Sequence, residues 1–215
     1  MCNHYLSPDE AAMERAWHIG NRTPLKWPAE VVPRRTGLFL RATSPGPLDL
    51  VVGIWSLIPH WSEEPRLKFS TNNARSEEVA TKPSYKDAWR SGQRCIIPAA
   101  SFLEPNWETG RNIWWQFRRA DGMPWGLAGL YHPWLNQQTG EIVESYTMLT
   151  VNADDHPLMS RMHKPDPTLP PDQQDKRSVI AIEPANLEQW LWGTPAEARE
   201  LFRPPAMAVI EAGPV

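Results

Sequence analysis

Apolar positions in this chain fall into short clusters rather than long periodic runs. Stretches of β-branched and aromatic residues bounded by turn residues predict strands over 37–42, 48–57, 95–97 with 101–104, 113–118, 125–131, 146–151 and 179–182. The segment 206–210 is a further candidate strand. Helical spacing is confined to short pieces. Ser7-Pro8-Asp9-Glu10 reads as a helix start, with Ser7 at the N-cap, Pro8 at the first helical position and an acid at the third. Ala11, Ala12, Met13 and Trp17 carry that helix over about 8–19, and other helices are expected near 84–91, 185–192 and 195–202. The segment 23–35, with Pro24, Pro28 and Pro33, is expected to be extended surface chain. The charged, Pro-rich segment 163–178 is expected to be an irregular loop, and a loop that long in a compact domain usually serves function. Many short strands with helices between them, without regular βαβ alternation, predict an α+β fold. The expected architecture is a curved, largely antiparallel sheet or partly closed barrel with short helices, in a single domain over 1–215.

Composition narrows this reading. The 215 residues include 23 Pro, which argues against long helices and a regular parallel sheet because each Pro removes a backbone donor. The 12 Trp outnumber the 4 Tyr and 5 Phe together, predicting large flat apolar surfaces in the core or exposed for stacking on a ligand. A net charge of −3 lacks the basic excess of a dedicated phosphate binder, so nucleic acid could be held only through a local patch. Cys2 and Cys95 are too few for a disulfide framework. No apolar run is long enough for a membrane helix, and the N-terminus lacks secretory signal features, so the expectation is a cytoplasmic protein with reduced thiols.

Candidate chemistry begins at Cys2. Removal of Met1 would leave a 1,2-aminothiol, an α-amine of pKa about 7.7–8.0 beside a thiol of about 8.5. Such a group condenses with an aldehyde: the amine forms an imine and the thiol closes a five-membered thiazolidine. The amine could instead assist the thiol as an N-terminal nucleophile, and a small buried residue is the plain alternative. Three further stretches stand out. The first is Asn72-Asn73-Ala74-Arg75-Ser76-Glu77, which offers amide and guanidinium donors or, more simply, a helix-capping turn. The second runs from Arg94 to Glu104. Alternation places Phe102 and Glu104 on one face, where a carboxyl beside an aromatic ring is suited to proton exchange or, at a strand end, points to water. In the third, Met162-His163-Lys164-Pro165, His163 is a candidate acid/base or an ordinary surface histidine.

Together with Cys2, these stretches resemble the SOS response-associated peptidase family. The resemblance also takes in Trp55 to Trp61, Ala128-Gly129-Leu130-Tyr131 and Thr147-Met148-Leu149-Thr150, in order along nearly the whole chain. It implies sensing of abasic sites in single-stranded DNA and a stable thiazolidine DNA–protein crosslink through Cys2, with abasic lyase activity and N-terminal self-processing as further family activities. Carried onto this chain, Cys2 is the nucleophile, Asn73 bonds the sugar or positions the Cys2 amine, Glu104 is the general acid/base, and His163 moves protons at the imine. Arg75 would hold a flanking phosphate, with His4, Arg90, Arg94 and Arg161 as further basic contacts, and Trp61 would stack on or wedge between bases. No cofactor or metal is implied. The expected partner is single-stranded DNA with abasic sites, bound by a monomer that is nucleoid-associated when on DNA. The chain departs from the family in three places: Asn3-His4 stands where Gly-Arg is usual, Pro105 follows Glu104 where Trp is common, and His163-Lys164-Pro165 only partly matches the His motif, which leaves His156 as a competing histidine. A Cys2–His163 thiol peptidase acting on peptides in trans and a non-catalytic single-strand-binding module are the alternative functions. A metal site from Cys2, His4 and a distant His would have an unusual spacing.

Overall fold

The computed structural model describes residues 1–19, 25–42 and 44–215; Thr23 and Pro24 of the expected extended segment lie outside the described residues. In chain order the elements are β1 (Tyr5–Leu6), α1 (Glu10–Trp17), β2 (Glu30–Val31), β3 (Thr36–Arg41), β4 (Asp49–Trp55), β5 (Asn73–Arg75), α2 (Lys86–Arg90), β6 (Arg94–Ala99), β7 (Ser101–Asn106) and β8 (Ile113–Arg119). They continue with β9 (Trp125–Leu135), β10 (Ile142–Asn152), β11 (Arg177–Val179), α3 (Leu187–Trp192), α4 (Pro195–Arg199) and β12 (Ile210–Pro214). The fold is mixed, mostly sheet, with short helices.

Strands β10, β4, β3, β6 and β9 pair in that order, and β9 pairs back onto β10, closing a five-stranded barrel. A second, open antiparallel sheet has the order β12-β8-β7-β1-β2. Among the described residues, parallel pairing is limited to the contacts of β10 with β4 and β5. Adjacent strands β6 and β7 lie in different sheets, so the chain passes from barrel to open sheet at Ala100. Pleat alternation then sorts side chains between two cores. Cys95, Ile97 and Ala99 of β6 face one with Phe39, Trp55, Phe102, Phe117 and Tyr146, whereas Ile96 faces the other with Leu38, Leu40, Trp89 and Trp190. With both faces covered, β6 is apolar nearly throughout rather than alternating.

The expected strands all have counterparts, with shifted ends. The segment 206–210 is instead a 3-10 turn, Met207–Val209, leading into β12. Three very short strands carried no signal of their own: β1, β2 and β5. The helix start is also corrected. Asp9, not Ser7, is the N-cap of α1, with its carboxylate accepting from Ala12 N at 2.8 Å. Ser7 is held back in extended chain because its amide bonds Ala29 O at 2.8 Å. The Pro-rich segment is irregular as expected up to Lys176, but its last two residues belong to β11, which begins at Arg177.

Tyr5 joins the two sheets. It pairs with Val31 on one side and Phe102 on the other, and its ring meets Trp55 edge-on at 5.1 Å. Its hydroxyl lies 2.5 Å from that of Tyr146 on the barrel strand β10, with both rings fully buried. Gly37 makes room for this pair, since a Cβ there would strike both phenolic oxygens. Tyr146→Phe is therefore expected to lower stability by about 1–3 kcal/mol, because it strands the Tyr5 hydroxyl in a dry core. In a double-mutant cycle read by urea unfolding, Tyr5→Phe combined with Tyr146→Phe should cost clearly less than the sum of the two single changes.

Candidate active site

Pairing geometry brings the N-terminus to Glu104. Strand β1 runs antiparallel to β7, with Tyr5 opposite Phe102 and Leu103 N donating to His4 O at 2.9 Å. The chain ahead of β1 therefore lies along the far half of β7, where Glu104 is fully buried. His163 arrives from the loop after β10. Its amide donates to Pro105 O at 2.6 Å, and the preceding Met162 bridges Asn106. Its backbone is left-handed, with φ of 64°. The imidazole Nε2 lies 2.7 Å from Glu104 Oε2 and 2.5 Å from the Met1 α-amine. One ring nitrogen thus faces an ammonium and a carboxylate together, and a proton can pass among all three.

Asn73 comes from β5. That strand has few residues, and its place is fixed by parallel pairing to β10, by Trp55 Nε1 donating to Asn72 O at 2.7 Å, and by the Tyr85 hydroxyl donating to Asn73 O at 3.0 Å. The Asn73 amide donates to Cys2 O at 2.6 Å. Asn72 and Asn73 both donate to Asn3 Oδ1, at 3.0 and 3.3 Å. Asn3, which departs from the family pattern, is therefore built into the site. Glu104 Oε1 and Asn73 Oδ1 are buried acceptors with no donor among the described residues.

The Cys2 thiol is buried, and its Sγ–H points to His4 O at 3.6 Å. Burial pushes its pKa well above the ordinary range, and the nearby Glu104 charge pushes it further. The sulfur in this state is a neutral thiol.

The structure places Cys2, Asn73, Glu104 and His163 in one cluster, from segments far apart in sequence. His156 is elsewhere. Its Nδ1 accepts from Leu158 N at 3.2 Å and Met159 N at 3.0 Å, so the proton sits on Nε2 and is donated to Pro205 O at 2.9 Å. His156 is tied up as a turn cap.

The basic residues expected at DNA have partners within the chain. Arg75 meets Asp175 at 2.5 Å, Arg161 is bidentate on Glu108 at 2.8 Å, and His4 Nε2 lies 2.6 Å from Glu30. Trp61 is 45 % exposed, with its indole N–H on Pro83 O at 3.2 Å. Arg90 is largely exposed. Arg94 is a correction: it is buried, its guanidinium donates to the carbonyls of Trp190 and Gly193, and it lies over the Trp89 and Trp190 rings. It caps the end of α3 and cannot reach a phosphate. Beside His163 lies a cleft of about 380 Å³ lined by Trp107, Arg161, Pro165, Leu169 and Lys176. Lys176 was not foreseen, since nothing in its spacing ties it to the histidine. Among the described residues no group of three or more His, Cys, Asp or Glu side chains is placed to hold a metal ion.

A model of the SOS response associated peptidase (SRAP) family matches residues 1–215. Abasic site processing protein YoqW of Bacillus subtilis is 31 % identical over 123 residues, which is 57 % of this chain and 53 % of that protein. Abasic site processing protein HMCES of Xenopus tropicalis is 31 % identical over 121 residues, 46 % of this chain and 36 % of that one. The matched stretch thus spans about half of the first relative and a third of the second. A crystal structure of a Bordetella bronchiseptica protein superposes with a TM-score of 0.88 at 32 % identity, covering 100 % of this chain and 99 % of the other. One from Bacteroides thetaiotaomicron, at 22 % identity, has a TM-score of 0.78 over 100 % and 92 % of the two chains and shares the fold.

Both cysteines are buried and have raised pKa values, chiefly through desolvation. In unfolded chain each thiol ionises near about pH 8.5, whereas the folded state keeps the proton. Stability from this source is complete below that pH and falls as pH rises, by about 1.4 kcal/mol per unit for each thiol. Urea unfolding at pH 7.5 and 9.5 should show that fall, and a thiol-labelling reagent at pH 8 should modify both cysteines rapidly only after unfolding.

Proposed function

The chain belongs to the SOS response associated peptidase (SRAP) family, and from that premise we propose that it processes abasic sites in single-stranded DNA through a covalent crosslink at Cys2 exposed by loss of Met1. The relatives named for abasic-site processing support this reading. The observation that carries it is His163 Nε2, in contact with both the chain's α-amine and the buried Glu104 carboxylate.

With Met1 gone, the Cys2 amine attacks the C1′ aldehyde carbon of the ring-opened sugar. The carbinolamine loses one water to give an imine. The thiol then adds across the C=N bond, sulfur to carbon and proton to nitrogen, closing the thiazolidine ring. Glu104 and His163 take and return the protons for sugar ring opening and water loss. Asn73 holds Cys2 O and so orients the nucleophile. Glu104 Oε1 and Asn73 Oδ1, both lacking donors, suit a newly freed amine. Diversion of the imine to β-elimination would give lyase activity. Self-processing would be hydrolysis of the Met1–Cys2 amide, consuming one water. This sequence does not need a pre-formed thiolate, because the amine acts first and the thiol adds to an activated imine carbon. A peptidase attacking peptides in trans needs a low-pKa thiol from the outset, whereas burial and the Glu104 charge push the Cys2 thiol up. Arg75, Arg161, His4 and Trp61 would guide a single strand, with Arg75 and Arg161 exchanging Asp175 and Glu108 for phosphates.

Protein lacking Met1 should form a species stable on a denaturing gel with a single-stranded oligonucleotide carrying one abasic site, and none with intact DNA. Cys2→Ala or retention of Met1 should abolish it, and Glu104→Gln should slow it about 10²-fold or more. A crosslink that survives Cys2→Ala would overturn the reading.

A further inference from the structure

His163 reaches Glu104 with its backbone in the left-handed conformation, which a residue with a Cβ rarely takes unless its surroundings impose it. Two grips impose it here. Strand β7 takes the His163 amide through Pro105 O. On the other side, the Lys176 ammonium donates to Met162 O at 2.8 Å and to His163 O at 2.7 Å, so the carbonyls bracketing the His163 residue share one donor.

The arrangement is unusual for a lysine. Lys176 is only 7 % exposed, and buried lysines are normally matched by a carboxylate. Here the side chain goes to backbone carbonyls. Asp154, whose charge acts on it, accepts from the backbone amides of Asp175 and Lys176 instead. Ala153 N closes the ring by donating to Lys176 O at 2.7 Å, so the lysine's own backbone is anchored. Around the imidazole stand the Glu104 carboxylate and the Met1 amine, and neither contact holds the loop backbone.

We propose that Lys176 is a positioning residue for His163, its ammonium clamping the Met162 and His163 carbonyls so that the imidazole points at Glu104. This rests on the abasic-site reading for its effect on rate, but not for its effect on the histidine. The test uses the full chain without Met1, as wild type, Lys176→Met and Lys176→Arg. Three quantities are read: the maximal crosslinking rate on an abasic single-stranded oligonucleotide, affinity for the same oligonucleotide carrying a non-reactive tetrahydrofuran abasic analogue, and the ring ¹⁵N signals of His163 without DNA. In Lys176→Met the rate should fall at least about tenfold, with analogue affinity within about twofold and the His163 signals displaced. Lys176→Arg, which keeps two donors, should recover most of the rate and the wild-type signals. Unchanged His163 signals in Lys176→Met, or equal loss in both variants, would overturn the proposal. Should Lys176→Met fail to fold, Lys176→Gln carries the same comparison, with the same two results overturning the proposal. If the wild-type chain does not crosslink at all, the abasic-site reading fails, while the ring signals still decide the role of Lys176.

Discussion

Everything at the candidate site depends on two residues of strand pairing. Tyr5 and Leu6 insert between β2 and β7, and that short ladder turns the chain's N-terminus from a fraying end into a structural edge. Pairing this brief would be marginal alone. It holds because Tyr5 is also wedged between the sheets, against Trp55 and hydroxyl to hydroxyl with Tyr146. The register chosen at Tyr5 and Phe102 then decides which β7 residue lies beside Cys2. A slip by one residue would reverse the face and put Leu103 where Glu104 stands.

The charged groups divide into two kinds. Arg94, Arg119, Arg177 and Lys176 are largely buried and engaged with helix-end carbonyls, paired acids or loop carbonyls. They set backbone positions. The surface pairs Arg75–Asp175 and Arg161–Glu108 remain solvated, where an ion pair contributes little and partners exchange readily. A near-neutral chain can therefore present cations locally without a basic surface overall. Glu104 stands apart from both kinds: it is fully buried and, among the described residues, only one of its oxygens has a partner.

Legibility in the sequence follows the range of the signal. Strands such as β3, β6 and β9 announce themselves because their side chains face packed cores on both sides, and short helices follow from the density of Pro. Strands β1, β2 and β5 are too short to show a period, and they are the ones that position Cys2 and Asn73. The helix start misled because Ser7 and Asp9 are both good caps, and the choice falls to a tertiary bond from Ser7 N to Ala29 O. Arg94 misled because an arginine in a motif reads alike whether it faces solvent or underpins a helix end.

By itself the sequence determined the chemistry available: a thiol at Cys2, amides at Asn72 and Asn73, a carboxyl at Glu104 and an imidazole at His163 in a Pro-stiffened loop. These are properties of residue types and of neighbours a few positions away. Only the tertiary structure decided which of them meet. Glu104 and His163 are 59 positions apart, Asn73 and Cys2 71, and Met1 and His163 162. Contacts across such distances are set by closure of the barrel and by the register of β1 on β7. They also follow from a buried lysine whose partners are backbone carbonyls, and carbonyls look the same in every residue of a sequence.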